Sequence, residues 1–243
     1  MRHPLAHRRE RSEGAFTSRL LRKVGTVVNL AGLSPQETAA LLRAYSPDGV
    51  AAYRDEDIVL LALKAKKLGF DYHTPDVARR LVDKLLQREA LRSGGLPSPL
   101  FWQIPTDRDP AAVEALADAV EFPAVLKSRT GNDGQYTMPV ADAGDLVRSV
   151  ALLPPQPVGE MGMFVEQYLP SLSTGPNDRV GDYLSVESLV AAGEISHVAV
   201  TGRFPLAEPF RETGFFIPAD LPQAQLAVVL EVATAALCAH KAC

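Results

Sequence analysis

The segment Phe122-Pro123-Ala124-Val125-Leu126-Lys127-Ser128-Arg129-Thr130-Gly131-Asn132-Asp133-Gly134 constrains the fold more than any other part of the chain. Its short apolar run predicts a buried strand from Phe122 to Ser128. That strand delivers Lys127 to its end and runs straight into a loop of Gly, Asn and Asp. Glycines there can turn backbone N–H groups toward phosphate oxygens, and the lysine adds a point charge. The order of a P-loop is absent, and so is the G-x-G-x-x-G of a dinucleotide fold. Taken alone, a lysine at a strand end is also an ordinary solvated terminus.

The rest of the chain reads as helices alternating with short strands. Val24–Leu30 is a β-branched run and the first expected strand. Ser34-Pro35-Gln36-Glu37 is a capping box with proline at the first helical position, opening a helix to about Tyr45. A short strand is expected at Gly49–Ala52. Asp55 caps a helix whose apolar residues Ile58, Leu61, Ala62, Ala65 and Leu68 recur at helical spacing, with Gly69 closing it. Strand, helix, strand, helix implies parallel pairing with crossovers.

Thr74-Pro75-Asp76 starts a third helix, carrying Lys84 and ending at Gly94-Gly95. Leu96-Pro97-Ser98-Pro99 is a linker. Helices are expected at Asp109–Val120 and Asp142–Leu152, a strand at Phe164–Leu169, and a mobile connection at Leu172–Asp182. Tyr183–Val190 and Ile195–Arg203 form a hairpin. Period-two alternation places Tyr183, Ser185 and Glu187 on one face, with Leu184, Val186 and Val190 on the other. In its second strand His197, Thr201 and Arg203 share a polar face. Asp220-Leu221-Pro222-Gln223 starts the last helix, with Leu226, Val229, Leu230, Ala233 and Leu237 along its stripe.

Charge and cysteine content narrow the function classes. There are 25 Lys and Arg against 29 Asp and Glu, giving a net charge of −4, whereas nucleic-acid binders usually carry a basic footprint. No apolar run reaches the ~20 residues that a membrane helix needs. The Arg- and His-rich start has no apolar core segment of a secretory signal, so residues 1–23 read as a basic, disordered leader. Cys238 and Cys243, the two cysteines, read as reduced thiols, forming neither a disulfide framework nor a zinc site, in keeping with a cytoplasmic chain.

A second segment, Phe164-Val165-Glu166-Gln167-Tyr168-Leu169-Pro170, offers a carboxylate and then outward-turning backbone, which suits an adenine edge and equally an ordinary edge strand. Together with Asp83-Lys84, Gly95-Leu96-Pro97, Lys127 and the Thr130–Thr137 loop, this segment resembles the ATP-grasp superfamily in motif order and spacing. The resemblance implies an α/β ATP-grasp fold with an α+β lid. Its parts would be a pre-ATP-grasp α/β domain over residues 24–75, a linker helix and lid over 76–171, and the first part of the C-terminal subdomain over 172–243. It further implies that Lys84 and Lys127 hold ATP phosphates and that the loop bearing Gly131 and Gly134 closes over them. Glu166, Gln167 and Leu169 would meet the adenine.

Downstream, Asp182–Glu187, Gly193-Glu194 and Pro209-Phe210-Arg211-Glu212-Thr213-Gly214 resemble the branch that includes L-amino-acid ligases. That likeness implies that Glu187 faces nucleotide or substrate. It also places Arg203, Arg211 and Glu212 at the substrate, though the two arginines suit surface ion pairs equally well. The implied chemistry is ATP-dependent carboxylate–amine ligation through an acylphosphate. Family members carry acidic and asparagine magnesium ligands beyond the last helix. This sequence stops there, so Mg²⁺ is implied by the family while its usual ligands are absent, and impaired turnover is expected. Dimerisation is common in the superfamily, which leaves a homodimer open. A non-catalytic nucleotide-binding module and an NAD-type oxidoreductase are the alternatives, the latter weakened by the missing glycine fingerprint.

Overall fold

The computed structural model describes residues 19–28, 33–52, 54–131, 134, 136–154, 162–170 and 180–241. The Leu172–Asp182 connection lies largely outside these residues, as do Asn132, Asp133 and Gln135 of the glycine loop and most of the leader. The chain divides into two units, Met1–Asp48 and Gly49–Cys243.

In the first unit, residues 19–21 form a single helical turn. Helix α1 (Pro35–Arg43) has the full capping box: Ser34 Oγ accepts from the Glu37 amide at 3.2 Å, and Glu37 Oε2 accepts from the Ser34 amide at 2.7 Å. The strand expected at Val24–Leu30 does not form over its described residues, where Val24 is 85% exposed. Asn29 and Leu30 lie outside them.

In the second unit, α2 (Asp55–Leu68) has Arg54 at its N-cap with no side-chain cap bond, so Asp55 is its first residue and not the expected cap; the helix ends on Gly69, whose φ of 76° is the left-handed conformation that favours glycine. Gly49–Ala52 is not a strand and buries no side chain fully, so it has no core face to hold it in a sheet. The parallel crossover expected of the N-terminal part is therefore not found among the described residues. The expected third helix is broken in two, α3 (Pro75–Val82) and α4 (Lys84–Ser93). Asp83 stands extended between them and turns its carboxylate back onto the Leu85 and Leu86 amides, restarting the helix.

The first sheet is antiparallel, in the order β1-β4-β2-β3, from β1 (Phe101–Gln103), β2 (Ala124–Ser128), β3 (Met138–Val140) and β4 (Met163–Gln167). Two helices, α5 (Pro110–Ala117) and α6 (Ala143–Leu152), are N-capped by Asp109 and Asp142. They bury Val113 with Ala117, and Leu146 with Val150, pairs one helical turn apart. These side chains meet Ala124, Leu126, Met163 and Val165 from one sheet face in a single core. Period two sends the alternate residues Val125, Lys127, Phe164 and Glu166 to the other face. There Val125 is opposite Glu166 and Lys127 is opposite Phe164.

The second sheet, order β5-β6-β7, joins β5 (Leu184–Ala191), β6 (Glu194–Arg203) and β7 (Phe215–Phe216). Ala192 and Gly193 turn the hairpin with φ of 51° and 80°, the paired positive values that a two-residue hairpin loop requires. A register shift at Glu187/Ser188 sets Ser188 opposite His197 and Val190 opposite Ile195. The extra residue, Val198, lies in β6, so alternation runs unbroken along β5 and Val190 keeps the face of Leu184 and Val186. In β6 the bulge moves His197 to that same face, which corrects its expected place beside Thr201 and Arg203.

Helix α7 (Gln223–Ala239) packs on β5 and α4. Its expected stripe of Leu226, Val229, Leu230, Ala233 and Leu237 is the half-buried side. His197 bridges Ser188 Oγ at 2.8 Å and Thr234 Oγ1 of α7 at 2.9 Å, a satisfied strand histidine. Cys238 is disulfide-bonded, which corrects the reading of the cysteines as reduced thiols. Among the described residues, no helix is long and apolar enough to cross a membrane.

Candidate functional site

Lys127 and Glu166 share the sheet face that α4 covers, on neighbouring strands and two positions apart in register. Diagonal neighbours of this kind are within reach of long side chains, and Lys127 Nζ closes on Glu166 Oε1. Arg88 reaches down from α4 and donates through Nε to Glu166 Oε2 at 2.9 Å. Both carboxylate oxygens are thus engaged by cations, with the glutamate 6% exposed. Burial pushes the Glu166 carboxyl up, but Lys127 and Arg88 together outweigh burial and hold it below its ordinary value.

Lys84, the first residue of α4, faces the glycine loop and donates through Nζ to Gly131 O at 2.7 Å. Its backbone amide donates to Arg129 O, also at 2.7 Å. Burial and the neighbouring Lys127 hold the Lys84 ammonium below the usual lysine value, against the pull of Asp55 and Asp83. Arg129 pairs with Asp83. Four cations and two carboxylates thus gather where α4 meets the end of β2, a formal surplus of positive charge. Such a surplus in a half-buried place attracts a polyanion, which supplies the countercharge that the protein withholds.

Gln167 and Leu169 are differently placed. The Gln167 amide donates to Leu100 O at 2.8 Å, and Tyr168 donates to Pro123 O at 3.2 Å. Leu169 follows where the strand has ended and is 64% exposed. Gly131 and Gly134 both hold positive φ, 102° and 69°. A Cβ on Gly134 would lie 3.6 Å from Phe210 O, so the glycine loop comes up to the Pro209–Gly214 segment. The Phe210 ring is 6.5 Å from that of Tyr168.

The second sheet carries its own polar group. Arg203 donates to Glu212 Oε2 at 3.0 Å and to Ser185 Oγ at 2.8 Å, and Ser185 donates to the exposed Glu187 at 2.8 Å. Arg203 Nε and Tyr183 Oη are buried with no hydrogen-bond partner among the described residues. Burial and Glu212 push the Tyr183 phenol up. Arg211 is exposed, and its backbone bridges to Ala207.

The sequence reading did not single out Arg88 or Arg129. Arg129 carried a signal, two residues after Lys127, whereas Arg88, one turn after Lys84, looks like any cation on a helix face. A cleft of about 410 Å³ lined by Arg92, Leu96, Leu100, Phe101 and Trp102 contains none of the site lysines.

Among the described residues, the two carboxylates paired at this cluster do not fit a magnesium ion. Glu166 and Asp83 spend their oxygens on Arg88, Lys127 and Arg129. No cluster of three or more His, Cys, Asp or Glu suited to a metal occurs among the described residues.

The fold, an antiparallel sheet backed by two helices and followed by a second sheet, matches about half of that of the ATP-grasp ligases. No protein-family model matches the chain. Among solved structures it is similar to an L-amino acid ligase from Bacillus licheniformis, with a TM-score of 0.64 and 19% identity, over 86% of this chain and 47% of that one. It is similar also to an N5-carboxyaminoimidazole ribonucleotide synthetase from Thermotoga maritima, at TM-score 0.57 and 18% identity, over 83% of this chain and 47% of that one. Among curated proteins, an N5-carboxyaminoimidazole ribonucleotide synthase from Synechocystis sp. is 37% identical over 102 residues, which is 40% of this chain and 24% of that protein. The chain thus spans about half the length of the solved structures and a quarter of that relative.

Proposed function

We propose that the second unit binds ATP and that the protein serves ATP-dependent carboxylate–amine ligation. The observation that carries this reading is Lys84 seated on the glycine loop through Gly131 O at 2.7 Å, with Lys127 at the end of β2 close enough to disfavour its charge. Two fixed cations beside a positive-φ loop suit a chain of phosphates. The resemblance of the fold to ligases supplies the reaction class. Lys84 would leave Gly131 O for a phosphate, and the Gly131–Gly134 loop would settle over it.

Glu166 is better suited to holding Lys127 than to reading a base, since both its oxygens are taken. Adenine would then meet the backbone at Gln167–Leu169. Arg203, with its unpaired Nε, would face the terminal phosphate or a substrate carboxylate. Glu187, Arg211 and Glu212 would line the acceptor side. We assign the lid to residues 76–171 and the first part of the C-terminal subdomain to 172–243, with residues 24–75 as the preceding domain.

In the proposed reaction a substrate carboxylate oxygen attacks the γ-phosphorus and the bond to the β-phosphate oxygen breaks, releasing ADP. An amine then attacks the acylphosphate carbon, phosphate leaves, and the amine proton passes to solvent. What this chain contributes is positioning and charge neutralisation.

Because the carboxylates beside the lysines are already paired, we infer that magnesium adds little to ATP binding in this chain and that turnover is low. The test is calorimetric titration of ATP with and without Mg²⁺, on wild type and Lys127→Ala. Binding lost in Lys127→Ala supports the site. A strong magnesium dependence refutes the metal inference, and a folded wild type that does not bind ATP refutes the whole reading. A non-catalytic nucleotide-binding role is favoured by the same pairing of carboxylates, and would appear as ATP binding with no ADP formed.

A further inference from the structure

Asp83 and Arg129 take no direct part in the nucleotide site as proposed, yet they join the two elements that carry its lysines. Asp83 is the extended residue between α3 and α4, with φ −99° and ψ 108°. Its Oδ1 accepts from the Leu85 amide at 3.0 Å and from the Leu86 amide at 3.3 Å. The same carboxylate accepts from Arg129, whose Nε lies 3.1 Å from each oxygen while its terminal nitrogen closes on Oδ2. The pair is mostly buried, with side-chain exposures of 22% and 14%.

The backbone of Arg129 is held from both sides. Its carbonyl accepts the Lys84 amide at 2.7 Å, and its amide donates to Gly162 O at 3.2 Å. Gly162 has φ +71°, and a Cβ there would fall 2.8 Å from Arg129 Cδ. The arginine stem therefore packs closely on Gly162, just ahead of β4. Lys84 directly follows Asp83, and Lys127 stands two residues before Arg129. At the Lys84 end the two elements are thereby joined by one ion pair and one backbone bond, in addition to the Arg88–Glu166–Lys127 bridge one turn further along α4.

We propose that the Asp83–Arg129 pair is the positioning element that sets the separation of Lys84 and Lys127, so that a polyphosphate bridges both. The ligand class is a nucleoside di- or triphosphate, favoured over a monophosphate that reaches one lysine. This rests on the ATP-binding reading of the same site. A charge-assisted, forked Arg–carboxylate contact has the directionality that such a role needs, and a lysine in place of the arginine lacks it.

A double-mutant cycle tests the pair, with calorimetric affinity for ATP and for inorganic tripolyphosphate as the readout and a thermal melt of each free protein as the control. The variants are Arg129→Met, Lys84→Ala and both together. Asp83→Asn is the second probe, because asparagine keeps the helix cap and loses the ion pair. Arg129→Met and Asp83→Asn should each weaken both ligands about tenfold or more. In the Lys84→Ala background the Arg129→Met effect should disappear, since a positioning residue acts through the group it positions. Additive losses, or folded single variants that bind ATP like wild type, overturn the proposal. Wild type that binds neither ligand instead overturns the ATP-binding reading on which it rests.

Discussion

Glu166 is the residue at which charge and burial compete most directly. Burial alone would favour its neutral form, but Lys127 and Arg88 reverse that, and the carboxyl is held below its ordinary value. A depressed folded-state pKa contributes stability that is present above the unfolded value near pH ~4.3 and is lost as pH falls through the folded value. Glu166→Gln should therefore cost about 3 kcal/mol at neutral pH, because it leaves two buried cations short of a partner. The gap between wild type and variant should narrow steadily below about pH 4. Denaturant melts across that range measure it, and a pH-independent gap would mean that packing, not charge, is what the glutamate supplies. Lys84 has the opposite problem: burial and Lys127 disfavour its charged form. Bound phosphate would restore that charge. Titration of ATP in alkaline buffer should therefore take up protons, seen as an enthalpy that varies with buffer ionisation and ceases to do so in Lys84→Met. Both lysines were legible in the sequence from their positions at a helix start and a strand end. Arg88 was not, because a cation on a helix face is ordinary until the strand opposite is known to present a buried carboxylate.

At the scale of elements, local chemistry wrote the helix boundaries almost completely. Ser34, Thr74, Asp109 and Asp142 each accept from an amide three residues on, and each is a cap with its own sequence signature. Asp142→Ala should lower stability by about 1 kcal/mol, a loss that Asp142→Ser largely avoids; chemical denaturation of the three proteins measures it. What sequence could not supply was pairing. Val24–Val28 and Gly49–Ala52 look like strands by composition, but a strand also needs a neighbour and a buried face. The break at Asp83 was hidden for a related reason. Apolar spacing runs through it from Val77 to Leu85, and only the Arg129 partner, far away in sequence, shows why the chain stops and restarts there. The hairpin's register shift is likewise a property of two strands together. Alternation along either one cannot reveal that Ser188 and His197 face each other.

On the scale of the whole molecule, every residue assigned to the site lies in the second unit, Gly49–Cys243. Ligand binding that favours the folded form stabilises by mass action, by about 2.7 kcal/mol when the free ligand stands at a hundred times its dissociation constant. For a unit of this size each kcal/mol raises the melting temperature by about 2–4 °C. Saturating ATP should thus move the second unit's transition up by about 5–10 °C. A transition belonging to Met1–Asp48, if it is resolved, should stay where it is. Scanning calorimetry distinguishes the two, and Lys127→Ala supplies the control because it removes a phosphate contact from the second unit alone. Retention of the full shift in Lys127→Ala would place the nucleotide elsewhere on the chain. A shift shared by both transitions would mean that the units unfold as one cooperative body, despite their separate contact networks. Loss of the shift in the variant, measured against the variant's own ligand-free melt, ties the stabilisation to the lysine at the end of β2.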